Sequence, residues 1–254
     1  VPFITAYQTE KGDTKPINQD SLMIQSARSK QGSVGMFAVC DGMGGLNQGE
    51  VASSTIVKQL SDWFKHKLPI LLDTADVEDL PFYLMEKIEA INQDLIEDSN
   101  LQKTQMGSTL TVILIVDQQY FTFQLGDSRA YAVGQKITQL TKDQSLVARE
   151  IARGMITEQQ ALTHPQRHVL LQCMGVQSDI QVAMTSGVLA EGEQLMLCTD
   201  GFYRSLTPEE IHHAITSDVS VNKDEMQETL NFLIQTVKNR EETDDITALL
   251  VQTI

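Results

Sequence analysis

The chain has 254 residues with 19 basic and 34 acidic side chains, a formal charge of −15. That length supports one large domain or two small ones with a sizeable core, and 41% hydrophobic with 21% charged residues excludes a disordered or fibrous chain. The acidic balance argues against nucleic acid or an anionic membrane as the main partner, since both would be repelled, yet a small anionic ligand fits wherever metal ions reverse the local field.

In chain order, apolar β-leaning runs predict strands over Phe3–Tyr7, Ser21–Gln25 and Val34–Cys40. After Gly49-Glu50, the stripe Ala52, Ile56, Leu60, Trp63 and Phe64 has helical spacing, and Leu84, Ile88, Ile91 and Leu95 form a second. Strands follow at Thr109–Val116, Tyr120–Leu125 and Arg129–Val133, and Asp117-Gln118-Gln119 is short enough to join the first two as a hairpin. Residues 141–185 differ. They hold short amphipathic pieces around Val147–Arg153 and Glu158–Leu162, then His164-Pro165 and a strand Ile180–Thr185, a pattern expected of an insertion that shapes access to a surface site. Strand Gln194–Cys198 comes next. Thr207-Pro208-Glu209-Glu210 predicts a helix start, with a cap, a proline in the first turn and acids at the positive end of the dipole. Met226, Leu230, Leu233, Ile234 and Val237 predict the last helix, and Ile246–Val251 the last strand. Without repeats, low-complexity tracts or linkers, a single domain over 1–254 is expected. Hairpin-like strand groups and paired helices, without steady β-α alternation, predict an α+β layered fold with antiparallel sheets.

Cys40, Cys173 and Cys198 are odd in number and far apart, and two of them end apolar runs, so buried reduced thiols in a reducing compartment are expected. Leu110–Val116, the longest near-continuous apolar run, is far short of a membrane span, and no basic segment followed by an apolar one opens the chain. A cytoplasmic protein with no membrane association is expected.

The chemistry lies in buried strands that end in Asp, usually beside Gly: Val39-Cys40-Asp41-Gly42-Met43-Gly44-Gly45, Leu125-Gly126-Asp127-Ser128-Arg129 and Leu197-Cys198-Thr199-Asp200-Gly201. Asp244-Asp245 directly precedes the strand from Ile246, and Asn18-Gln19-Asp20 precedes the strand from Ser21. One such Asp-Gly pair is an ordinary turn signal. Several of them at strand ends can gather on one rim, where converged carboxylates repel unless cations are present. Oxygen ligands suit hard ions such as Mg²⁺ or Mn²⁺, and no His/Cys spacing suits zinc. His66, His164, His168, His212 and His213 lie in or near helices and the insertion, away from the Asp motifs, and read as surface or structural residues.

Taken in order, Asp41-Gly42-Met43-Gly44-Gly45, Gly126-Asp127-Ser128-Arg129, Thr199-Asp200-Gly201 and Asp244-Asp245-Ile246-Thr247 resemble the PPM/PP2C family of metal-dependent protein Ser/Thr phosphatases in its compact bacterial form, from Lys15 to Thr247. The resemblance implies a four-layer α-β-β-α sandwich, two antiparallel sheets flanked by helix pairs. It implies two Mn²⁺ or Mg²⁺ ions at the core site: Asp41 bridging both, the Gly42 carbonyl on one, and Asp200 and Asp244 on the other. Asp127, with Asp200, matches the residue that binds a third, weaker ion, and Asp20 matches an acid that hydrogen-bonds metal-bound water. Lys15 replaces the family's phosphate-gripping Arg, supplying charge without a bidentate fork. Gln19 replaces a usual Glu, Asp245 a usual Asn, and Met43 a His that animal relatives carry to protonate the leaving alkoxide. The insertion resembles the family's flap, where Lys142, Arg149, Arg153 and Arg167 are placed to steer a phosphopeptide. The implied substrates are phosphorylated proteins, the implied opponent is a bacterial Ser/Thr kinase, and a monomer is expected.

Two rivals remain at this point, and a third fails. A related hydrolase would act on small phosphoesters. A silent regulatory module would have lost metal carboxylates, whereas Asp41, Asp127, Asp200 and Asp244 are all acids. An EF-hand read from Asp41 fails, because Met43 and Ala52 fall on ligand positions.

Overall fold

In the computed structural model, which describes residues 2–45, 48–216 and 222–253, the apolar runs become strands whose alternate residues serve different cores. The strands are β1 (Phe3–Glu10), β2 (Asp20–Ser29), β3 (Gly32–Gly44), β4 (Met106–Ser108), β5 (Leu110–Val116), β6 (Gln119–Leu125), β7 (Arg129–Val133), β8 (Ile137–Gln139), β9 (Ala183–Val188), β10 (Gln194–Cys198) and β11 (Ile246–Thr253). The helices are α1 (Gln48–His66), α2 (Leu68–Thr74), α3 (Leu80–Gln102), α4 (Leu146–Ala152), α5 (Glu158–Leu162), α6 (Asp200–Tyr203), α7 (Pro208–Thr216) and α8 (Lys223–Asn239). One sheet has the order β1-β11-β10-β7-β8 and the other β2-β3-β5-β6-β9, with β4 beside the end of β3. Neighbouring strands are antiparallel throughout.

The period of two explains the near-continuous apolar runs. In β3, Phe37 and Val39 enter the space between the sheets with Ile113, Leu197 and Leu249, while Met36, Ala38 and Cys40 pack toward α1 and α3. In β10 and β11, Met196, Cys198, Ala248 and Leu250 face α6, α7 and α8. Both faces of each sheet are therefore buried, and three cores separate four layers, the α-β-β-α sandwich. Each large side chain buried this way, such as Phe37 or Phe123, contributes about 1.5–3 kcal/mol. The predicted stripes of α1, α3 and α8 are the buried faces of those helices.

Differences from the sequence reading fall where the apolar signal is weak. The last strand of the insertion lies at Ala183–Val188, three residues beyond the predicted start at Ile180, with Gln124 paired to Ala183 and Gln119 to Val188. It is an edge strand with a mostly exposed face, so backbone pairing sets its register, and Ile180 and Val182 pack instead against the helix-side core. The short elements α2, α6, β4 and β8 carry no periodicity long enough to read. The predicted hairpin turn tightens to Asp117-Gln118, with Asp117 left-handed at φ +55° and Val116 opposite Gln119.

Cys40 and Cys198 are buried, Cys173 is half-buried, and all three are free thiols; burial raises their pKa values, that of Cys173 to about 11. No helix among the described residues is long and apolar enough to cross a membrane.

The predicted start of α7 is a reciprocal cap. The Glu210 N–H donates to the Thr207 hydroxyl at 3.2 Å, and the Thr207 N–H donates to Glu210 Oε2 at 2.8 Å. Arg240, at the end of α8, grips the same carboxylate in a fork at 2.5 and 2.9 Å. Hydrogen bonds from Arg240 and the Thr207 N–H hold the Glu210 pKa down at about 2. The stabilisation is therefore complete above the unfolded value of about 4.3 and fades as pH falls through the folded one. Urea midpoints of wild type and Glu210→Gln are expected to differ at pH 7, to draw together as pH falls below about 4.3 and to meet only near pH 2, with a small difference at every pH because the pair is exposed. A gap that widens on acidification would contradict this account of the pair.

The stretch 141–185 is fastened at its root. Arg129 donates to Asp143 at 2.9 Å from Nε and 2.7 Å from Nη2, and its guanidinium lies 3.6 Å from the centroid of the Tyr203 ring. The Lys142 N–H donates to Gln124 Oε1 at 2.9 Å, and the Ala130 N–H donates to the Thr141 hydroxyl at 3.2 Å.

Candidate metal centre

Strand pairing brings the carboxylates to one rim. Asp20, first in β2, lies opposite Asp41 in β3. The Asp41 N–H donates to the Thr109 hydroxyl at 2.8 Å, and the Thr109 N–H donates to the Asp41 carbonyl at 2.9 Å. Asp127 sits in the turn from β6 to β7, made by Gly126 at φ +100°. Asp200 opens α6 at the end of β10, and Asp244 stands just before β11, the neighbour of β10. Thr199 fastens the two sheets together here. Its hydroxyl donates to Asp20 Oδ2 at 2.8 Å and accepts the Thr247 N–H at 3.1 Å, while its own N–H donates to the Thr247 carbonyl at 3.0 Å. A Cβ on Gly42 would overlap the Gly49 carbonyl, so glycine at this position lets β3 meet the start of α1 backbone to backbone.

Burial and mutual repulsion dominate the electrostatics. Burial, then the charges of Asp200, Asp20, Asp244 and Asp127, push the Asp41 pKa well above the usual carboxylate range. Burial and Asp200 do the same to Asp127, and burial foremost raises Asp200. Burial, then the charges of Asp245 and Asp200, raise Asp20 to about 7 against the hydrogen bonds of Thr247 and Thr199. Asp244 goes the other way: burial opposes its ionisation, but Lys15 and Arg204 outweigh it and lower its pKa. Lys15 is ion-paired with Asp244 and reaches Asp245 at 3.3 Å; Arg204 is ion-paired with Asp200 and lies 3.7 Å from Asp244.

Asp245 is tied to backbone. Its Oδ1 accepts the Gly12 N–H at 2.8 Å and its Oδ2 accepts the Gln19 N–H at 2.9 Å, which staples the loop carrying Lys15 to the rim, whereas Asp244 faces the side-chain cations Lys15 and Arg204. Arg149 and Arg153 pair with Glu150, at 3.2 and 3.9 Å. Met43 lies opposite Gly107 in the β3–β4 ladder.

Two residues escaped the sequence reading. Arg204 sits four residues after Asp200, at the C-terminal end of a helix too short to show a pattern. His168 was expected away from the Asp motifs, yet one of its ring nitrogens and carboxylate oxygens of Asp200 and Asp244 all lie within 4.8 Å of one another. Residues 141–185 bring His168 to the rim, a contact that no local sequence feature reveals.

The cluster fits a divalent cation. Asp20 Oδ1 and Asp200 Oδ1 are buried and have no hydrogen-bond partner, an expensive arrangement that a nearby positive charge relieves. Oxygen donors in this number suit Mg²⁺ or Mn²⁺.

The chain matches the family model "Protein phosphatase 2C" over residues 9–249. It is 30% identical to the serine/threonine phosphatase stp of Listeria innocua over 97% of this chain and 94% of that protein. Among solved structures, the Streptococcus agalactiae serine/threonine phosphatase superposes with a TM-score of 0.85 at 27% identity, over 99% of this chain and 100% of that one. The catalytic domain of the phosphatase PstP in complex with two manganese ions superposes with a TM-score of 0.80 at 25% identity, over 99% of this chain and 98% of that one.

Proposed function

We propose, from the premise that this chain belongs to the protein phosphatase 2C family and is a protein serine/threonine phosphatase, that it hydrolyses phosphoserine and phosphothreonine by direct attack of water at the acidic rim, opposing a Ser/Thr kinase. The observation that carries the site is the cluster of buried Asp20, Asp127 and Asp200 with half-buried Asp41 and Asp244, in which two buried carboxylate oxygens are unpartnered. Asp41, the Gly42 carbonyl, Asp200 and Asp244 would hold two divalent cations, and Asp127 with Asp200 a third. Bound there, the cations would lower the pKa of water and meet the charge on the phosphoryl oxygens. The presence of two manganese ions in the PstP structure supports this reading.

The remaining roles belong to the chain. Thr199 donates to Asp20 Oδ2 and so orients that carboxylate, leaving the unpartnered Oδ1 to accept a hydrogen bond from the attacking water and hold its proton. Lys15, with 27% of its side chain exposed, offers an ammonium to the substrate phosphate while neutralising Asp244. Its lone charge orients phosphate less strictly than an arginine fork. Residues 141–185 serve as the flap bordering the site in a single domain.

The reading is tested by phosphate release from a phosphothreonine peptide and from a small phosphomonoester, each with Mn²⁺, with Mg²⁺ and with chelator. Turnover of the peptide with either metal, abolished by chelator, is expected. Undiminished turnover in chelator overturns the metal mechanism, and preference for the small ester overturns the substrate class.

A further inference from the structure

We infer that His168 is a metal ligand: from the insertion, its imidazole completes the coordination of a divalent cation held by Asp200 and Asp244, and that cation thereby fastens the insertion to the rim. The inference rests on the metal centre proposed above and adds to it a nitrogen donor that the sequence reading had set aside.

The geometry is close to what coordination requires. Donors about 2.1 Å from one ion stand roughly 3–4 Å apart, and the three donor atoms here lie within 4.8 Å of one another before any ion draws them in. Asp200 Oδ1 is buried and unpartnered, while Asp200 bonds Arg204 through Oδ2. A cation can therefore use the first oxygen without breaking the ion pair on the second.

Backbone pairing presets the position of His168. Ser145 and Leu170 form an isolated β-bridge. The Leu146 N–H donates to the Val169 carbonyl at 2.8 Å, and the Leu171 N–H donates to the Gln144 carbonyl at 2.8 Å. Gln144 in turn is held by the corner that carries Asp127: its N–H donates to the Gly126 carbonyl at 2.9 Å, and its Oε1 accepts the Gly126 N–H at 2.8 Å. The turn bearing His168 thus hangs from the same corner as a metal carboxylate. Its side chain is exposed, so it can shift the small distance needed.

An imidazole donor changes what the site prefers. It adds little for Mg²⁺ and more for Mn²⁺ and Zn²⁺, which accept nitrogen readily.

The test uses the full chain, without a histidine tag, loaded with Mn²⁺. Electron spin echo envelope modulation is expected to show a ¹⁴N coupling at Mn²⁺ in wild type that is lost in His168→Gln. Zn²⁺ affinity is expected to fall at least about tenfold in that variant, as in metal sites stripped of a supporting group. Mn²⁺ is expected to slow amide exchange at Leu146 and Leu171 in wild type only. Because His168 lies in an exposed turn, the variant folds as wild type does, which its circular dichroism checks. If Mn²⁺ binds both proteins equally with no ¹⁴N coupling, the assignment of His168 is overturned and the metal centre stands. If wild type binds no Mn²⁺, the metal centre itself is overturned.

Discussion

In chelator, Asp41→Asn is expected to melt above the wild-type chain, and in saturating Mn²⁺ the order is expected to reverse. Asp41 is half-buried with Asp200, Asp20, Asp244 and Asp127 around it, and burial together with those charges disfavours its ionised form. Asn keeps the shape and removes the charge. Burying one ion costs several kcal/mol, of which a half-buried carboxylate gives back a part when it is neutralised, and each kcal/mol moves the melting point of a domain this size by about 2–4 °C. Cation binding adds the opposite term, about 2.7 kcal/mol at a hundredfold excess over the dissociation constant, and it favours the chain that retains the carboxylate. Activity should show no such crossover: a metal worth several kcal/mol in the transition state corresponds to a loss of about 10³-fold in turnover at 4 kcal/mol. Differential scanning fluorimetry with and without Mn²⁺, beside phosphate release, checks both halves. The same melting order in chelator and in Mn²⁺ would show that Asp41 does not hold a cation.

Asp143→Ala is expected to cause a large loss of stability, about 3 kcal/mol, at the low end of the range for breaking a buried pair because part of the Arg129 side chain reaches solvent. Arg129 and Asp143 are 24% and 14% exposed at their side chains, joined by a bidentate contact, with Tyr203 under the guanidinium. Removing the carboxylate leaves a largely enclosed cation without its partner. Tyr203 also donates to the Asp127 carbonyl at 2.9 Å, so the disturbance reaches the corner that carries a rim carboxylate. Urea unfolding should register the loss, and Arg129→Met on the Asp143→Ala background should recover most of it, since the stranded charge is then gone. A loss below about 1 kcal/mol would mean that solvent already screens the pair, as it does for exposed ones.

Much of this protein is legible in its local chemistry. The near-continuous apolar runs Val34–Cys40, Thr109–Val116 and Ile246–Val251 specify strands with two apolar faces, and such strands can only be buried between layers. The stripes from Ala52, Leu84 and Met226 specify the helices that cover them. Asp41, Asp127, Asp200 and Asp244 stand out because each adjoins a buried strand, where a charge is costly without a use. Tertiary structure alone decided the rest. The edge strand Ala183–Val188 takes its position from pairing with Gln119–Leu125, because its exposed face leaves no apolar period. Asp244 and Asp245 are neighbours of one chemistry, and only the path of the loop from Gly12 to Gln19 turns one into a backbone staple and leaves the other at the rim. Arg204 and His168 reach Asp200 and Asp244 from the end of a short helix and from the turn that follows α5. Local pattern reports how a residue meets its own strand or helix; which distant groups it meets depends on register and chain path, and these are properties of the packed molecule.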